Sequence, residues 1–466
     1  VRISDIQRCE VRPGRLVEWT FSPATVATAA ALPTDSRPPA YNQESHIRTA
    51  RTVREDGLFV PTWLGAAFDL PGRADLDALE EALRAWTLRH ETLRSGFRWS
   101  GDEMHRFTLE RDDVSLRREV VGDFTDTGRL VRHLQDRFDV AADALGWPNL
   151  IYAAVVRDDS TSVYLAFDHT NVDAYSLQRI PDEINELYAA RLAGHAVGGT
   201  QVGSYVDFCE LERTNADGID DTHAIVGRWR EFIGRCDGVL PNFPVDLGLD
   251  PGGRLPTQKL MREWLVDADA AAAFEAYCRR HGGSLVGVLA ATSMIVHEIG
   301  GQPVYRTVVP FHTRMKSAWS DSVGWYVGGA PIEVPAARDF DEALAVVRSE
   351  LQANRSLARM PLARVLRLLG ADFRPTSPDL YSIVSYVDAR VAPGATRWSE
   401  RKAYGLLRVS YGDQVCVWVN RLDEGLWFAC RYPDTDAAYK NMRRYVEALR
   451  GLILSVPASP LAAHGR

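Results

Sequence analysis

The sequence predicts an α+β protein built as two lobes. Its 466 residues exceed the size at which a single hydrophobic core keeps growing. Strand-like patterns of period two and helix-like patterns of period 3.6 occur in both halves. Between them lies LAGHAVGGTQVGS at 192–204, a run of glycine and other small residues that reads as the end of the first lobe. The lobes are accordingly placed at 1–200 and 201–466.

In chain order, Asp75 to His90 begins with a capping aspartate and carries Leu76, Leu79, Leu83 and Trp86 at helical spacing. Ser162 to Asp168 alternates as a strand does, with Val163, Leu165 and Phe167 on one side and Tyr164, Ala166 and Asp168 on the other. Leu177, Ile180, Ile184, Leu187 and Tyr188 restore helical spacing, and Pro181 is expected to kink that helix or delay its start. The segment 206–236 reads as helix bridging the lobes, and the Pro- and Gly-rich 242–256 as loop. In the second lobe Lys259–Val266 is strand-like, Ala268–His281 and Ser284–Ile299 are helical around Gly282 and Gly283, and Val304–Phe311 is β-rich. Further strands are expected at Gly328–Val334, Tyr381–Val387, Gln414–Asn420 and Gly425–Arg431, with a last helix near Asp436–Ser455.

Composition narrows the function classes. Hydrophobic residues make up 46% and charged residues 25%, as in ordinary folded proteins. The net charge of -8, with both signs mixed along the chain, gives no basic surface for nucleic acid or an anionic membrane, so no nucleic-acid partner is expected. Cys9, Cys209, Cys236, Cys278, Cys416 and Cys430 lie far apart, without the C-x-x-C spacing of a zinc or redox site, and fit reduced thiols of a cytosolic protein. The opening VRISDIQRCEVRPGRLVEW has no apolar signal core, and the apolar stretches are too short to span a bilayer. The expectation is a cytoplasmic protein with no membrane anchor.

Reactive side chains crowd together in Asp168-His169-Thr170-Asn171-Val172-Asp173-Ala174-Tyr175-Ser176. A strand end projects side chains into a cleft while the sheet holds them rigid. An imidazole there suits a general base, with activity rising through roughly pH 6–7 for an unperturbed ring. His169 is that candidate, and Asp173 the residue that fixes the loop through a buried ion pair. The same spacing also describes a strand-end histidine beside a helix-capping aspartate. A metal site is not expected, because His169 and Asp173 have no third ligand nearby in sequence.

The company this motif keeps resembles one family. Arg89-His90-Glu91-Thr92-Leu93-Arg94-Ser95-Gly96-Phe97 is similar to the condensation-domain segment R-H-E-x-L-R-T-x-F, and Asp168 to Ala174 to its signature H-H-x-x-x-D-G. Gly283 to Gly301, Val309-Pro310-Phe311-His312-Thr313-Arg314, Val323 to Pro331 and Ala358-Arg359-Met360-Pro361-Leu362 continue the likeness in order. The chain thus resembles the superfamily of nonribosomal-peptide condensation domains, chloramphenicol acetyltransferase and polyketide-associated acyltransferases.

This resemblance implies two chloramphenicol-acetyltransferase-like lobes in a V-shaped pseudo-dimer with a channel at the junction. It implies transfer of an acyl or aminoacyl group from the phosphopantetheine thioester of an acyl or peptidyl carrier protein to a small-molecule alcohol or amine, without a tightly bound cofactor. His169 takes the catalytic position. Asp173 takes the structural one, with Arg314 as its partner. Asp168 stands where the family has its first histidine, and Ala174 where it has glycine. Asp168, Asn171, Trp325, Tyr326 and Ser385 are candidates for lining the channel or touching substrate, Ser385 as an oxyanion donor. His312 is either channel wall or packing, Ser176 a hydrogen-bond donor or a helix cap, and Arg94 a carrier-phosphate contact or a structural ion-pair member. The leading expectation is a free-standing condensation enzyme of secondary metabolism, similar to those of enediyne biosynthesis. Pro38-Pro39-Ala40-Tyr41-Asn42-Gln43 together with Asp168-His169 also looks like acyltransferases that esterify trehalose with lipid acyl groups, and a non-catalytic scaffold of the same fold is the third alternative.

Overall fold

Asp75 caps the helix that the periodicity calls for. Its carboxylate accepts from the N–H groups of Asp77 and Ala78, and Leu79, Leu83 and Trp86 turn inward. The computed structural model describes residues 1–195, 201–250, 253–375 and 382–456. Up to residue 217 the main elements are β1 (Arg2–Ser4), β2 (Gly14–Phe21), α1 (Pro23–Ala31), α2 (Tyr41–Glu55), β3 (Leu64–Pro71), α3 (Leu76–Arg89), β4 (Ser95–Ser100), β5 (Glu103–Thr108), β6 (Leu116–Phe124), α4 (Thr127–Ala141), β7 (Leu150–Val156), β8 (Ser160–Phe167), α5 (Ala174–Leu192) and α6 (Tyr205–Asp217). After it come α7 (Ala224–Gly234), β9 (Gln258–Asp267), α8 (Ala268–Arg279), α9 (Ser284–Gly300), β10 (Val304–His312), β11 (Val327–Pro335), α10 (Phe340–Asn354), α11 (Leu362–Leu369), β12 (Ile383–Asp388), β13 (Tyr404–Leu407), β14 (Cys416–Leu422), β15 (Gly425–Pro433) and α12 (Asp436–Ser455). The fold is α+β, as expected.

The chain divides into two compact units, but not at residue 200. The first comprises Val1–Gly218, Arg314–Tyr326 and Ala392–Arg408, and the second the remainder. Residues 196–200 of the expected boundary run, like Tyr381 of an expected strand, lie outside the described residues. The correction has a simple physical origin. Tyr205, Phe208 and Cys209 of α6 share a small aromatic core with Trp319 and Tyr326, so α6 and the segment 314–326 belong to the first unit. The stretch 206–236 is likewise two helices, α6 in the first unit and α7 in the second, rather than one bridge.

The first unit is organised on a seven-stranded sheet of order β1-β13-β3-β8-β7-β2-β6. Its pairings are antiparallel except that of β1 with β13. β8 lies at the centre, with Phe167 opposite Leu64 on one side and Leu150 on the other. Tyr164 and Ala166 pack in one core with Leu130, Leu134 and Phe138 of α4. On the opposite side Phe167 meets Trp86 of α3 and Tyr152. A strand paired on both edges and buried on both faces is the stiffest place from which to project a side chain, and the candidate site lies immediately after it. Pro181 does not delay the helix: α5 starts at once after Asp173 and continues through the proline. Packing of Leu177, Ile180 and Ile184 outweighs the backbone hydrogen bond that proline removes.

The second unit holds a four-stranded sheet, β12-β14-β15-β9, and the hairpin β10-β11 in unbroken register from Val304↔Pro335 to His312↔Val327. Its core joins Phe274, Val288, Leu289, Val417, Val419, Phe428, Met442, Tyr445 and Leu449 from both helices and strands. Among the described residues no single helix is long and apolar enough to cross a membrane.

Candidate active site

Where β8 ends, the backbone turns within a dense set of hydrogen bonds. Asp168 N–H donates to Asn149 O (2.9 Å), Asn171 N–H to Asp168 O (3.1 Å), and the Gln43 amide nitrogen of α2 to Thr170 O (2.8 Å). Asn171 gives its amide hydrogen to Asn149 Oδ1 (2.8 Å) and accepts from the Thr92 hydroxyl (3.1 Å). It is 3% exposed, so it holds the loop and does not line a channel. The two sequence motifs around 40 and 90 thereby acquire a physical role, since Gln43 and Thr92 pin the turn that carries His169.

Asp173 and Arg314 form the expected ion pair, with Nη1 to Oδ2 at 2.8 Å and Nη2 to Oδ1 at 3.0 Å, both side chains buried. Burial pushes the Asp173 carboxyl up, but the Arg314 guanidinium more than offsets this and holds it below the usual carboxylate range. Asp173 is also the N-cap of α5, accepting from Ser176 N–H, and its other oxygen accepts from Tyr326 N–H (3.1 Å). Ser176 is not the cap. Its single hydroxyl hydrogen has Asp173 Oδ1 at 2.8 Å and Gly324 O at 3.1 Å as alternative acceptors, and its oxygen accepts from Gly324 N–H and Arg314. His90 completes the fastening. Its Nδ1 accepts from Val323 N–H (3.3 Å) while Nε2 faces Glu183 at 3.0 Å. Burial would raise Glu183, yet His90, Arg179 and Arg89 bring it down to about 2.

This anchored segment delivers Trp325, whose ring stacks on His169 at 3.9 Å between centroids and an interplanar angle of 25°. Tyr326, in contrast, is fully buried beneath the Arg314 guanidinium and belongs to the aromatic core, not to a substrate surface. Asp168 is fully buried as well, which excludes a direct substrate contact; its carboxylate accepts from Thr170 N–H (2.9 Å) and faces His46 Nε2 at 3.0 Å. Arg94 is structural, bonded to Leu109 O and near Glu91. Ser385 lies half-buried on β12, and His312 exposed at the end of β10, both in the second unit.

His169 itself is partly exposed, but its Nδ1 is buried without a hydrogen bond of good geometry. The tautomer with its hydrogen on Nδ1 presents the Nε2 lone pair as the basic atom. Burial, and then the charge of His46, push the imidazole down to about 4, overriding the opposite pull of Asp168 and Asp173. The ring is therefore uncharged throughout the neutral range, and the rise expected through pH 6–7 is displaced to lower pH.

His46 is the residue sequence reasoning missed. It sits on α2, more than 120 positions from Asp168, and nothing in its own neighbourhood marks it. One signal was available: an aspartate at a buried strand end beside a base needs a cation.

The condensation-domain profile matches residues 63–378, more than half of the chain. The chain belongs to the condensation-domain family. Among curated relatives, PapA1 of Mycobacterium tuberculosis, named 2'-acyl-2-O-sulfo-trehalose (hydroxy)phthioceranyltransferase, is 28% identical over 98% of this chain and 89% of its own. The trehalose-2-sulfate acyltransferase PapA2 of the same species is 29% identical over 97% and 96%. Among solved structures, a PapA2 acyl transferase superposes with a TM-score of 0.89 at 26% identity, covering 98% of this chain and 99% of that one. The first condensation domain of the CDA synthetase does so with 0.68 at 17%, covering 91% and 98%, which shows the shared fold. This condensation-family protein is an acyltransferase.

Proposed function

We propose that the protein is an O-acyltransferase that moves a lipid acyl group from a pantetheine thioester to a hydroxyl group of a trehalose-type sugar, with His169 as general base. The observation that carries the acceptor class is the end-to-end likeness to PapA1 and PapA2, both named for acyl transfer to sulfated trehalose. This reading displaces the amino-acid-condensing one to second place.

The chemistry follows from the ring described above. His169 Nε2 takes the hydroxyl proton as the acceptor oxygen attacks the thioester carbonyl. The tetrahedral intermediate expels the thiolate, which recovers that proton from the imidazolium, so an ester and a free thiol result and the enzyme returns unchanged. A ring lowered by burial and by His46 is unprotonated at neutral pH and so has its lone pair available for the first transfer. Trp325 covers one ring face and keeps water from it.

The test is a donor and acceptor panel read by mass spectrometry: long-chain acyl-CoA, long-chain acyl carrier and aminoacyl carrier, each with trehalose, trehalose-2-sulfate and a simple diol. Acylated sugar from the long-chain donors is expected. Preferential consumption of the aminoacyl carrier with the diol would overturn the sugar reading in favour of a secondary-metabolite condensation enzyme. No product from any pair would favour the scaffold.

A further inference from the structure

The buried carboxylates on either side of His169 are both neutralised, by different means. Asp173 has Arg314. Asp168, with no exposed surface, has His46 Nε2 at 3.0 Å. The His46 ring also stands edge-on to Trp325 (5.6 Å, 84°) and lies 6.2 Å from the His169 ring. It therefore touches both the residue before the base in sequence and the ring stacked upon it. Among the described residues, the charged groups that act on these rings are Asp168 from the end of β8 and Asp173 from the start of α5, the latter already paired with Arg314, and neutral Trp325 from the segment 314–326 packs against both. Glu44, the other acid on this part of α2, is bound to Arg48 and Arg213.

We propose that His46 is a positioning residue for the base: it brings an imidazole against the aspartate that stands at the signature's first position, neutralises Asp168, and sets a cation beside His169 so that His169 enters the reaction as free imidazole. The inference rests on His169 being the base. Asp168 alone would do the opposite of what catalysis requires, since an uncompensated carboxylate at this distance attracts a proton onto the imidazole and blocks its lone pair. Consistent with the geometry, Asp168 outweighs burial and raises His46 above its ordinary value, while His46 is the largest influence after burial that lowers His169.

The test reads protonation and needs neither donor nor acceptor, so its result stands apart from the identity of the sugar. In the full chain labelled with ¹⁵N-histidine, the ring signals of His46 and His169 are assigned by their loss in His46→Gln and His169→Ala and followed from pH 5 to 9. His46 is expected to be charged at pH 6.5 and His169 uncharged at pH 5.5. In His46→Gln, which keeps an N–H donor for Asp168, the His169 titration should move up by about one pH unit or more, as expected for removing a charge about 6 Å away. A His46 ring uncharged at pH 6.5, or a His169 titration identical in the variant, overturns the proposal. Should His46→Gln fail to fold, the parent titration alone decides, because a His169 midpoint near 6.5 is incompatible with it.

Discussion

The end of β8 and the core of the second unit bury their side chains by opposite rules. From Asp168 to Ser176 the polar side chains Asp168, Thr170, Asn171, Asp173 and Ser176 are at most 3% exposed, and each has a named partner, often from a distant stretch of chain. Along α9 the buried residues are Val286, Val288, Leu289, Ala290, Ala291, Ile295 and Val296, which need only neighbours of about the right volume. Its polar members bond mainly within their own helix, Thr292 to Val288 O and Ser293 to Ala290 O, and Thr292 has one distant partner in Tyr445 of α12. Non-directional burial tolerates substitution and directional pairing does not, so the first region trades tolerance for placement.

That contrast can be broken most directly at His169. His169→Ala should lower turnover by about 10²–10⁴-fold while melting stays near the parental value, because the ring is partly exposed and its Nδ1 lacks a good bond. A large loss of Tm together with activity would make the imidazole structural and erase the distinction. Next in size, Asp173→Ala strands Arg314 in the interior and should cost about 3–5 kcal/mol in denaturant unfolding, with activity falling too. Leu289→Ala in the second unit should cost a similar amount, about 2–5 kcal/mol, yet leave turnover per folded molecule unchanged. If both variants lose turnover alike at a temperature where both are folded, the polar region has no special claim on function.

Acid provides a third probe. The folded His169 stays uncharged to about pH 4, whereas in the unfolded chain it binds a proton near its ordinary value of 6.5. Stability contributed by this group should therefore fall as pH drops from 6.5 to 4, by on the order of 3 kcal/mol, and then level off. His46, raised by Asp168, acts in the other window: its contribution is complete below 6.5 and is lost as pH rises through its folded value. Chemical denaturation across pH should show a maximum near neutrality, with the acid slope reduced in His169→Ala. The smallest effect expected is Ser293→Ala, about 1 kcal/mol, since only one hydroxyl satisfied within its own helix is lost.

The same two rules decide what was legible in the sequence. Helices and strands whose cores are apolar announced themselves by period, so α3, α8, α9, α12 and the hairpin β10-β11 fall within a few residues of expectation. His169 and the Asp173–Arg314 pair were legible through motif resemblance, the latter because a buried aspartate demands a cation. Partnerships such as His46 with Asp168, or Ser176 with Gly324, leave no periodic trace and pair residues far apart. The start of α5 seven residues before Pro181 is hidden from local propensity for a related reason, since it depends on the packing of the helix. The unit boundary was misplaced because no local signal at 200 tells that segments 314–326 and 392–408 return to the first unit.

Those returning segments bear on how the protein is made. Arg2 in β1 pairs with Tyr404 in β13, a separation of 402 positions, and β13 also forms the neighbour of β3. On a ribosome extending by about 5–20 residues per second, the interval between the emergence of residue 218 and residue 408 is about 10–40 s. Throughout it β3 presents an open edge, and Asp173 waits without Arg314 for about half of that time. The first unit is thus among the first parts to be synthesised and cannot be finished until late, which makes the nascent chain a natural client for chaperones that cover unpaired strands.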